Sequence, residues 1–259
     1  MHIIVKENHQ AMSLEAARAV ASLLRRKPGA VLGLATGSTP LALYKELIRF
    51  HCEEQLDFSQ STTFNLDEYL GLAGSHPGSF QHYMKKNLLD HIRVPQGRIH
   101  MLSGLFSPED TDAISRHCEE YEQAIAAAGA IDLQILGIGA NGHIGFNEPG
   151  SSLGSRTRLV ALQKKTRLDN ASFFGNDPDK VPRHAITMGI GTILETKSLL
   201  LLASGQSKAE IVKKALEGPL TAMVPASALQ LHRHAVIILD LEAASLLTRD
   251  TDQSLTPPI

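Results

Sequence analysis

Short apolar segments recur along the chain, and each has the length and composition of a buried β-strand. Several of them are apolar at successive positions, which predicts strands covered on both faces, as in a parallel sheet. The predicted strands span residues 2–5, 30–35, 62–66, 131–137, 199–203 and 235–240.

Amphipathic stretches lie between these strands, and their apolar residues recur with helical spacing. The alternation of strand and helix predicts an α/β fold, with a doubly wound, mostly parallel, Rossmann-like sheet and helices on both faces. In such folds, ligands bind at the carboxyl ends of the strands. The predicted helices span residues 13–26, 41–51, 110–128 and 207–216.

The chain shows neither an internal repeat nor a long linker, so residues 1–259 are predicted to form a single domain. Its most turn-rich stretch, residues 175–182, predicts a surface lid over about residues 160–185. Residues 251–259 end with two prolines before the last residue and are predicted to be frayed.

Composition and charge narrow the class of protein. The 259 residues are 43% hydrophobic and 20% charged, with a formal net charge of −2, as in ordinary globular proteins. There is no basic block, so we expect neither nucleic acid nor an anionic membrane as a partner. Cys52 and Cys118 are too few and too far apart for a disulfide scaffold or a thiolate zinc site. The chain opens without a long apolar run, which predicts a cytoplasmic location.

The first chemically interesting junction joins the strand at 30–35 to the helix at 41. It consists of Thr36, Gly37, Ser38 and Thr39. Hydroxyls and a glycine beside the free N–H groups of a helix can bind phosphate without a cation. The junction lacks the lysine of a nucleotide-binding P-loop. The alternative is an ordinary Ser or Thr N-cap followed by Pro40 at the first helical position.

The second junction follows the strand at 62–66, where Asn65, Asp67 and Glu68 appear as the apolar run ends. A carboxylate there can act as a general base, since partial burial raises its pKa toward neutrality. The commoner alternative is that Asp67 caps a turn.

The third junction, residues 137–149, formally begins with the G-x-G-x-x-G pattern of dinucleotide-binding folds. However, residues 158–166 contain no acid for a ribose, and glycine and proline make the following segment a poor helix. We therefore expect His143 on a loop with Asn141 and Glu148, where an imidazole can move protons. A metal site is the alternative, but no third ligand is evident, so none is predicted.

Taken together, these segments resemble one family, the glucosamine-6-phosphate deaminases. They occur in the family's order over nearly the whole chain, and the run from Gly142 to Pro149 is highly specific. The related 6-phosphogluconolactonases have a similar Gly-His loop but lack its Phe-Asn-Glu-Pro ending. The matching segments are residues 32–40, 64–69, 76–79, 137–149, 151–152, 155–158 and 207–209.

The resemblance implies an enzyme that converts glucosamine 6-phosphate and water to fructose 6-phosphate and ammonia without a cofactor. It implies that His143, oriented by Glu148 and Asn141, opens the sugar ring, and that Asp67 moves a proton from C2 to C1. Lys208 would join the turn at residues 36–39 in binding the substrate phosphate.

Some positions depart from the family pattern. Asn141 stands where some members have aspartate, so its role must be hydrogen bonding. Ser172 replaces an arginine that helps to hold phosphate, which transfers that task to Lys208, or to Arg167 or Lys180.

Regulation is expected to differ as well. Val160 replaces a lysine of the allosteric site that binds N-acetylglucosamine 6-phosphate, although Ser151, Ser152 and Arg158 of that site are present. The tail also lacks the tyrosine of allosteric members. We therefore expect weak or no allosteric activation, in a monomer or small homo-oligomer.

Two alternatives remain open from the sequence. A 6-phosphogluconolactonase or another sugar-phosphate isomerase can share this fold, since fold alone does not determine activity. A protein of another class, a catalytically inactive sugar-phosphate sensor, would bind the same ligand. The presence of Asp67, His143 and Glu148 argues against a sensor.

Overall fold

The computed structural model describes residues 1–249 and 251–252. Of the predicted frayed tail, Asp252 pairs with Ile4 in an isolated parallel bridge, and residues 253–259 lie outside the described residues. The strands are β1 (His2–Lys6), β2 (Val31–Leu34), β3 (Thr62–Asn65), β4 (Asp67–Tyr69), β5 (Ile99–His100), β6 (Leu133–Gly137), β7 (Arg158–Ala161), β8 (His184–Thr187), β9 (Leu199–Ala203) and β10 (Ala235–Asp240).

Eight α-helices connect or follow these strands in the described part of the chain. Short 3-10 helices span Leu89–His91, Gln96–Arg98, Ala171–Phe174, Gln206–Lys208 and Pro225–Leu231. The α-helices are α1 (His9–Arg26), α2 (Leu41–Glu53), α3 (Phe80–Asn87), α4 (Thr111–Ala127), α5 (Lys164–Asp169), α6 (Ile190–Leu194), α7 (Ala209–Leu216) and α8 (Leu241–Ala244).

The main sheet has seven strands in the order β1-β10-β9-β6-β2-β3-β5, and every neighbouring pair is parallel. Every residue of β2, β9 and β10 is buried. Since successive side chains of a strand point to opposite faces, both faces of the sheet are covered. The predicted doubly wound parallel sheet is confirmed.

The strand order reverses at the centre of this sheet. From β2 the chain adds β3 and β5 on one side, and then returns to place β6, β9 and β10 on the other. A doubly wound sheet leaves a crevice at such a reversal, outside the carboxyl ends of the strands. The β2–β6 boundary is therefore where the fold itself places a ligand site.

A second sheet was not predicted from the sequence. Its order is β4-β8-β7, and both pairs are antiparallel. The chain leaves β3 of the main sheet and enters β4 after one residue, so that Asp67 lies opposite Thr187 of β8. An aromatic cluster of Tyr69, Phe80, Phe146 and Phe174 packs beside this sheet.

Element boundaries agree with the prediction to different degrees. The strands predicted at residues 199–203 and 235–240 match β9 and β10 at both ends. The predicted start of the first helix at Ser13 is wrong, because Asn8 caps α1 by accepting a hydrogen bond from the Ala11 N–H (2.9 Å). Within the described residues, no helix is long and apolar enough to cross a membrane.

Candidate active site

A pocket of about 500 Å³ opens at the carboxyl ends of the four central strands. The turn after β2, the residues after β3, the loop after β6 and the start of the segment after β9 all contribute to its walls. Asn141 and Glu148 are not among its lining residues. The predicted site residues that line the pocket are Thr36, Gly37, Ser38, Thr39, Asp67, His143 and Lys208.

The turn at residues 36–39 is fixed by its backbone conformation and by a hydrogen bond from α3. Its Gly37 has a φ of 103°, a region that favours glycine, and the Gly37 carbonyl accepts a hydrogen bond from the Tyr83 hydroxyl (2.6 Å). Pro40 occupies the N-cap position of α2, not the first helical position, and makes no side-chain cap. The Ser/Thr N-cap alternative is therefore wrong, and Ser38 and Thr39 are among the residues that line the pocket.

Asp67 is a buried carboxyl in the wall of the pocket. It is 5% exposed, and within the described residues its Oδ1 atom has no hydrogen-bond partner. The turn-cap alternative does not describe it, because Asp67 lies in β4. Burial, assisted by the charge of Glu68, raises the pKa of Asp67 to about 8. This combination is what a proton-transferring carboxyl requires.

The neighbouring acid, Glu68, has a different task. Its carboxylate accepts hydrogen bonds from the Ser79 hydroxyl (2.7 Å) and from the N–H groups of Phe80 and Gln81 (both 2.9 Å). A carboxylate at this position satisfies the first N–H groups of α3 and suits its dipole. Glu68 therefore fixes the helix that brings Phe80 to the pocket and Tyr83 to the turn at residues 36–39.

His143 is held through Asn141. The His143 Nδ1 atom lies 2.7 Å from the Asn141 Oδ1 atom, and the Asn141 Nδ2 atom donates to the Glu148 Oε2 atom at 2.8 Å. Because the amide oxygen can only accept, the hydrogen of the neutral imidazole lies on Nδ1, and Nε2 is free to accept a proton. Glu148 acts indirectly, since its Oε2 is 3.7 Å from Nδ1.

The imidazole is kept neutral by its surroundings. Burial lowers the pKa of His143, and the negative charge of Glu148 partly opposes that shift. Gly139 packs against the ring so closely that a Cβ there would lie 2.1 Å from the His143 Cε1 atom. A glycine is therefore required at position 139 for the ring to occupy this place.

The loop after β6 leads into no helix before α5, so the helix of a dinucleotide-binding motif is missing. Instead, the loop is tied to the small sheet, because the Phe146 N–H donates to the Thr187 hydroxyl (3.1 Å). In the described part of the chain, no group of three or more His, Cys, Asp or Glu side chains could hold a metal ion.

Lys208 brings a positive charge to the pocket. Its Nζ atom donates to the Ile138 carbonyl (2.7 Å), which holds the side chain beside the loop after β6. Burial lowers the pKa of Lys208, and an anion bound in the pocket would stabilise the charged form.

One wall of the pocket lies within the segment predicted as a lid, although the sequence did not show which of its residues line the pocket. It comes from the end of α5 and the following 3-10 helix, and Ser172 is part of it. Arg167 and Lys180, which we considered as substitutes for an arginine at 172, are not in the lining, and Lys180 lies 3.5 Å from Asp177. No periodicity marks this wall. Its lining residues are Asp169, Asn170, Ser172 and Phe173.

The raised pKa of Asp67 has a consequence for stability. As pH rises from about 4 to about 8, the unfolded chain releases the Asp67 proton while the folded protein keeps it. The wild type therefore loses stability across this window, by up to about 1.4 kcal/mol per pH unit. Asp67→Asn removes this titration, so the free energy of unfolding of the variant rises relative to that of the wild type until pH reaches about 8. Urea unfolding at several pH values measures the difference.

Asp132→Asn is the matched control, because folding shifts the pKa of Asp132 in the opposite direction from that of Asp67. Asp132 accepts hydrogen bonds from Lys27 (2.7 Å) and Lys197 (2.8 Å), and its pKa is lowered by these bonds against the effect of burial. Its contribution is present above the unfolded pKa and is lost as pH falls, so Asp132→Asn is destabilising at neutral pH. A pH-independent difference between Asp67→Asn and the wild type would contradict the raised pKa.

Comparison with known proteins agrees with this geometry. A sequence model described as glucosamine-6-phosphate isomerases/6-phosphogluconolactonase matches residues 6–238. A glucosamine-6-phosphate deaminase of Alkaliphilus oremlandii (strain OhILAs) is 51% identical over 95% of this chain and 100% of its own length. Glucosamine-6-phosphate deaminase 2 of Bacillus subtilis (strain 168) is 50% identical over 95% of this chain and 98% of its own.

Solved structures show the same relationship. A monomeric glucosamine-6-phosphate deaminase aligns with a TM-score of 0.90 and 46% identity, covering 95% of this chain and 100% of that one. A 6-phosphogluconolactonase from Trypanosoma cruzi, at 21% identity and a TM-score of 0.77 over 96% of this chain and 97% of that one, shares the fold. The chain therefore belongs to the glucosamine-6-phosphate isomerase/6-phosphogluconolactonase family, in which its relatives at about half identity are glucosamine-6-phosphate deaminases.

Proposed function

We propose that the protein is an enzyme that converts glucosamine 6-phosphate and water to fructose 6-phosphate and ammonia in the cytoplasm, without a cofactor or metal. The observation that carries the proposal is that three chemically suitable groups line one pocket. They are the buried Asp67 carboxyl, whose Oδ1 atom has no hydrogen-bond partner in the described residues, the neutral His143 imidazole, whose Nε2 atom can accept a proton, and the Lys208 amine. These supply a base, a proton carrier and a phosphate ligand.

His143 opens the sugar ring. Its Nε2 takes the proton from the anomeric hydroxyl and returns it to the ring oxygen as the C1–O5 bond breaks, so that no net proton is gained or lost. The imidazolium formed in between is stabilised by Glu148, whose Oε2 lies 3.7 Å from Nδ1. Asn141 keeps the required tautomer.

Asp67 performs the isomerisation. Its carboxylate removes the proton from C2 of the open-chain amino aldehyde, while the C1 carbonyl oxygen takes up a proton that the substrate ammonium group gives up, so that an enolamine forms. Asp67 then delivers its proton to C1. The resulting C2 iminium adds water, and ammonia leaves to give the ketone. In the free enzyme Asp67 holds its proton at neutral pH, because its pKa is raised to about 8. The positive charge of the bound substrate ammonium favours the ionised carboxylate, so that Asp67 releases this proton to solvent before it acts as the base.

The substrate phosphate lies against Thr36, Gly37, Ser38 and Thr39, near the N-terminus of α2. Lys208 is the one lysine or arginine among the lining residues of this pocket in the described part of the chain. With serine at 172, this single cation carries a larger share of phosphate binding.

Residues 160–185 act as a lid in this proposal. Their contribution to the lining, from Asp169 to Phe173, covers one side of the pocket. Closure over the substrate would exclude water from the enolamine before the hydrolysis step.

We also propose a monomer or small homo-oligomer with hyperbolic kinetics. Arg158 already donates to the Asn147 Oδ1 atom (2.9 Å) and the Ser151 hydroxyl (3.2 Å). Val160 adds no cation beside it. An anionic activator would therefore meet a single guanidinium whose donors are already partly engaged, without a second cation at position 160.

The decisive experiment measures ammonia release from glucosamine 6-phosphate against hydrolysis of 6-phosphogluconolactone, with and without N-acetylglucosamine 6-phosphate. Ammonia release with a hyperbolic rate curve supports both proposals. Lactone hydrolysis alone would favour the lactonase, and binding of the sugar phosphate without turnover would favour a sensor. A sigmoidal curve that the activator makes hyperbolic would refute the regulatory proposal.

Lys208→Ala is expected to raise KM for glucosamine 6-phosphate by about 10- to 100-fold, the scale of one charge-assisted hydrogen bond, with a smaller change in kcat. Steady-state ammonia assays measure both constants. Lys214→Ala is the control, because Lys214 is an exposed lysine of α7, 3.9 Å from Glu210. An equal rise of KM in both variants would remove Lys208 from the phosphate site.

A further inference from the structure

The carboxylate of Glu148 is bound at both oxygens, and only one of them faces His143. Its Oε2 accepts from Asn141 (2.8 Å). Its Oε1 accepts from the Thr166 hydroxyl and, at 3.3 Å, from the Gln163 N–H. Glu148 is 7% exposed and Thr166 is 1% exposed, so water has little access to these bonds.

Thr166 belongs to α5, whose end contributes to the wall of the pocket at residues 169–173. The Thr166 carbonyl accepts a hydrogen bond from the Asn170 side chain (2.9 Å), and Asn170 lines the pocket. A continuous path of hydrogen bonds therefore leaves the pocket at Asn170, passes through Thr166, Glu148 and Asn141, and returns to the pocket at His143.

We propose that Thr166 is a positioning residue that couples the wall at residues 169–173 to His143 through Glu148. The proposal rests on the proposed function, because it assigns the effect to ring opening. Thr166 touches no reacting atom in this scheme. Its hydroxyl fixes the Glu148 carboxylate, which fixes the Asn141 amide, which holds the Nδ1 hydrogen of the imidazole.

The strength of each bond explains why Thr166 matters. Without its hydroxyl, the one hydrogen bond left to Oε1 of Glu148 within the described residues would be the long one from the Gln163 N–H (3.3 Å). A buried carboxylate that lacks a donor turns toward other partners or binds a proton. In either case Asn141 loses its fixed acceptor, and the imidazole loses both its orientation and the charge that stabilises the imidazolium.

Ring opening and C2–C1 proton transfer respond differently to this loss. His143 serves the first step and Asp67 the second, and none of the path's hydrogen bonds involves Asp67. A defect at Thr166 should therefore affect the cyclic substrate and spare an analogue that is already open. A merely structural role in the wall would impair both substrates equally.

The test compares Thr166→Val, which keeps the shape and removes the hydroxyl, with Thr166→Ser, which restores it. We expect Thr166→Val to lower kcat for glucosamine 6-phosphate about tenfold, the scale of one hydrogen bond to a charged group, with KM nearly unchanged. Thr166→Ser should stay within about threefold of the wild type. The 4,5-dideoxy analogue, which cannot cyclise, should react at similar rates with all three proteins.

A double variant isolates the path to His143. In a His143→Gln background, Thr166→Val should cause no further loss, because the group on which it acts is gone. A further tenfold loss there, equal losses on the cyclic and open-chain substrates, or wild-type activity of Thr166→Val would each overturn the proposal.

A spectroscopic readout separates this proposal from the proposed function. The proton on His143 Nδ1 should give a downfield NMR resonance that Thr166→Val broadens or shifts and Thr166→Ser retains. If the wild type released no ammonia from either substrate, the proposed function would fail while this resonance still tested the path. An unchanged resonance in Thr166→Val would refute the coupling whatever the activity.

Discussion

Asp67→Asn is expected to lower kcat for ammonia release by about 10³-fold or more, which is the largest single effect in this protein. The amide has the shape of the carboxyl but cannot accept the C2 proton at any accessible pH. Asp67 is buried and its Oδ1 is unpaired in the described part of the chain, so the substitution breaks no hydrogen bond at that atom. Substrate affinity should therefore change little, because the turn at residues 36–39 and Lys208 remain.

Two measurements check this expectation. Calorimetric titration with glucosamine 6-phosphate should give an affinity within a few-fold of the wild-type value. With glucosamine 6-phosphate deuterated at C2, the wild type should carry deuterium from C2 to C1 of fructose 6-phosphate, and the variant should not. Asp90→Asn, at an exposed site, is the control. Retention of more than a tenth of the wild-type kcat by Asp67→Asn would assign the C2 proton to another base.

The main sheet could be predicted because its strands carry their own signal. The strands at residues 199–203 and 235–240 are buried at every position. A short, nearly continuous run of apolar residues of this length is typical of a buried strand. The start of α1 was placed too late because its first residue, His9, is polar. Asn8 is itself a preferred N-cap residue type, and its bond to the Ala11 N–H shows that it serves as the cap.

The small sheet could not be predicted in this way. Strand β4 reads Asp-Glu-Tyr, which has neither an apolar run nor alternation, and it pairs with β8 more than a hundred residues later. That pairing puts Asp67 opposite Thr187, whose hydroxyl also holds the loop of His143 through the Phe146 N–H. The sequence identified Asp67 and His143 individually. The pairing of β4 with β8, which positions both of them, joins residues far apart in the chain and could not be predicted.

The wall at residues 169–173 shows the same limit. Asp169 and Ser172 are ordinary surface residues by type, so the sequence placed them only within a predicted lid segment. The structure shows that they line the pocket and that α5 is attached to Glu148 through Thr166. The role of Asn141 could be predicted more fully, because an amide side chain does not titrate and can act only through hydrogen bonds. The structure adds the direction of both bonds, from imidazole to amide and from amide to carboxylate.

His143→Gln is expected to lower kcat for the cyclic substrate by about 10²-fold and to change the rate on the open-chain 4,5-dideoxy analogue by less than about threefold. Glutamine can form hydrogen bonds but cannot carry a proton between the anomeric hydroxyl and the ring oxygen. Ring opening would then depend on water, while Asp67 still moves the C2 proton of an open chain.

Ammonia assays on both substrates give the two ratios of variant to wild-type rate. His91→Gln, at an exposed site outside the pocket lining, serves as the control. Losses of equal size on the two substrates would mean that His143 serves the step now assigned to Asp67, and an undiminished rate on the cyclic substrate would mean that it serves neither.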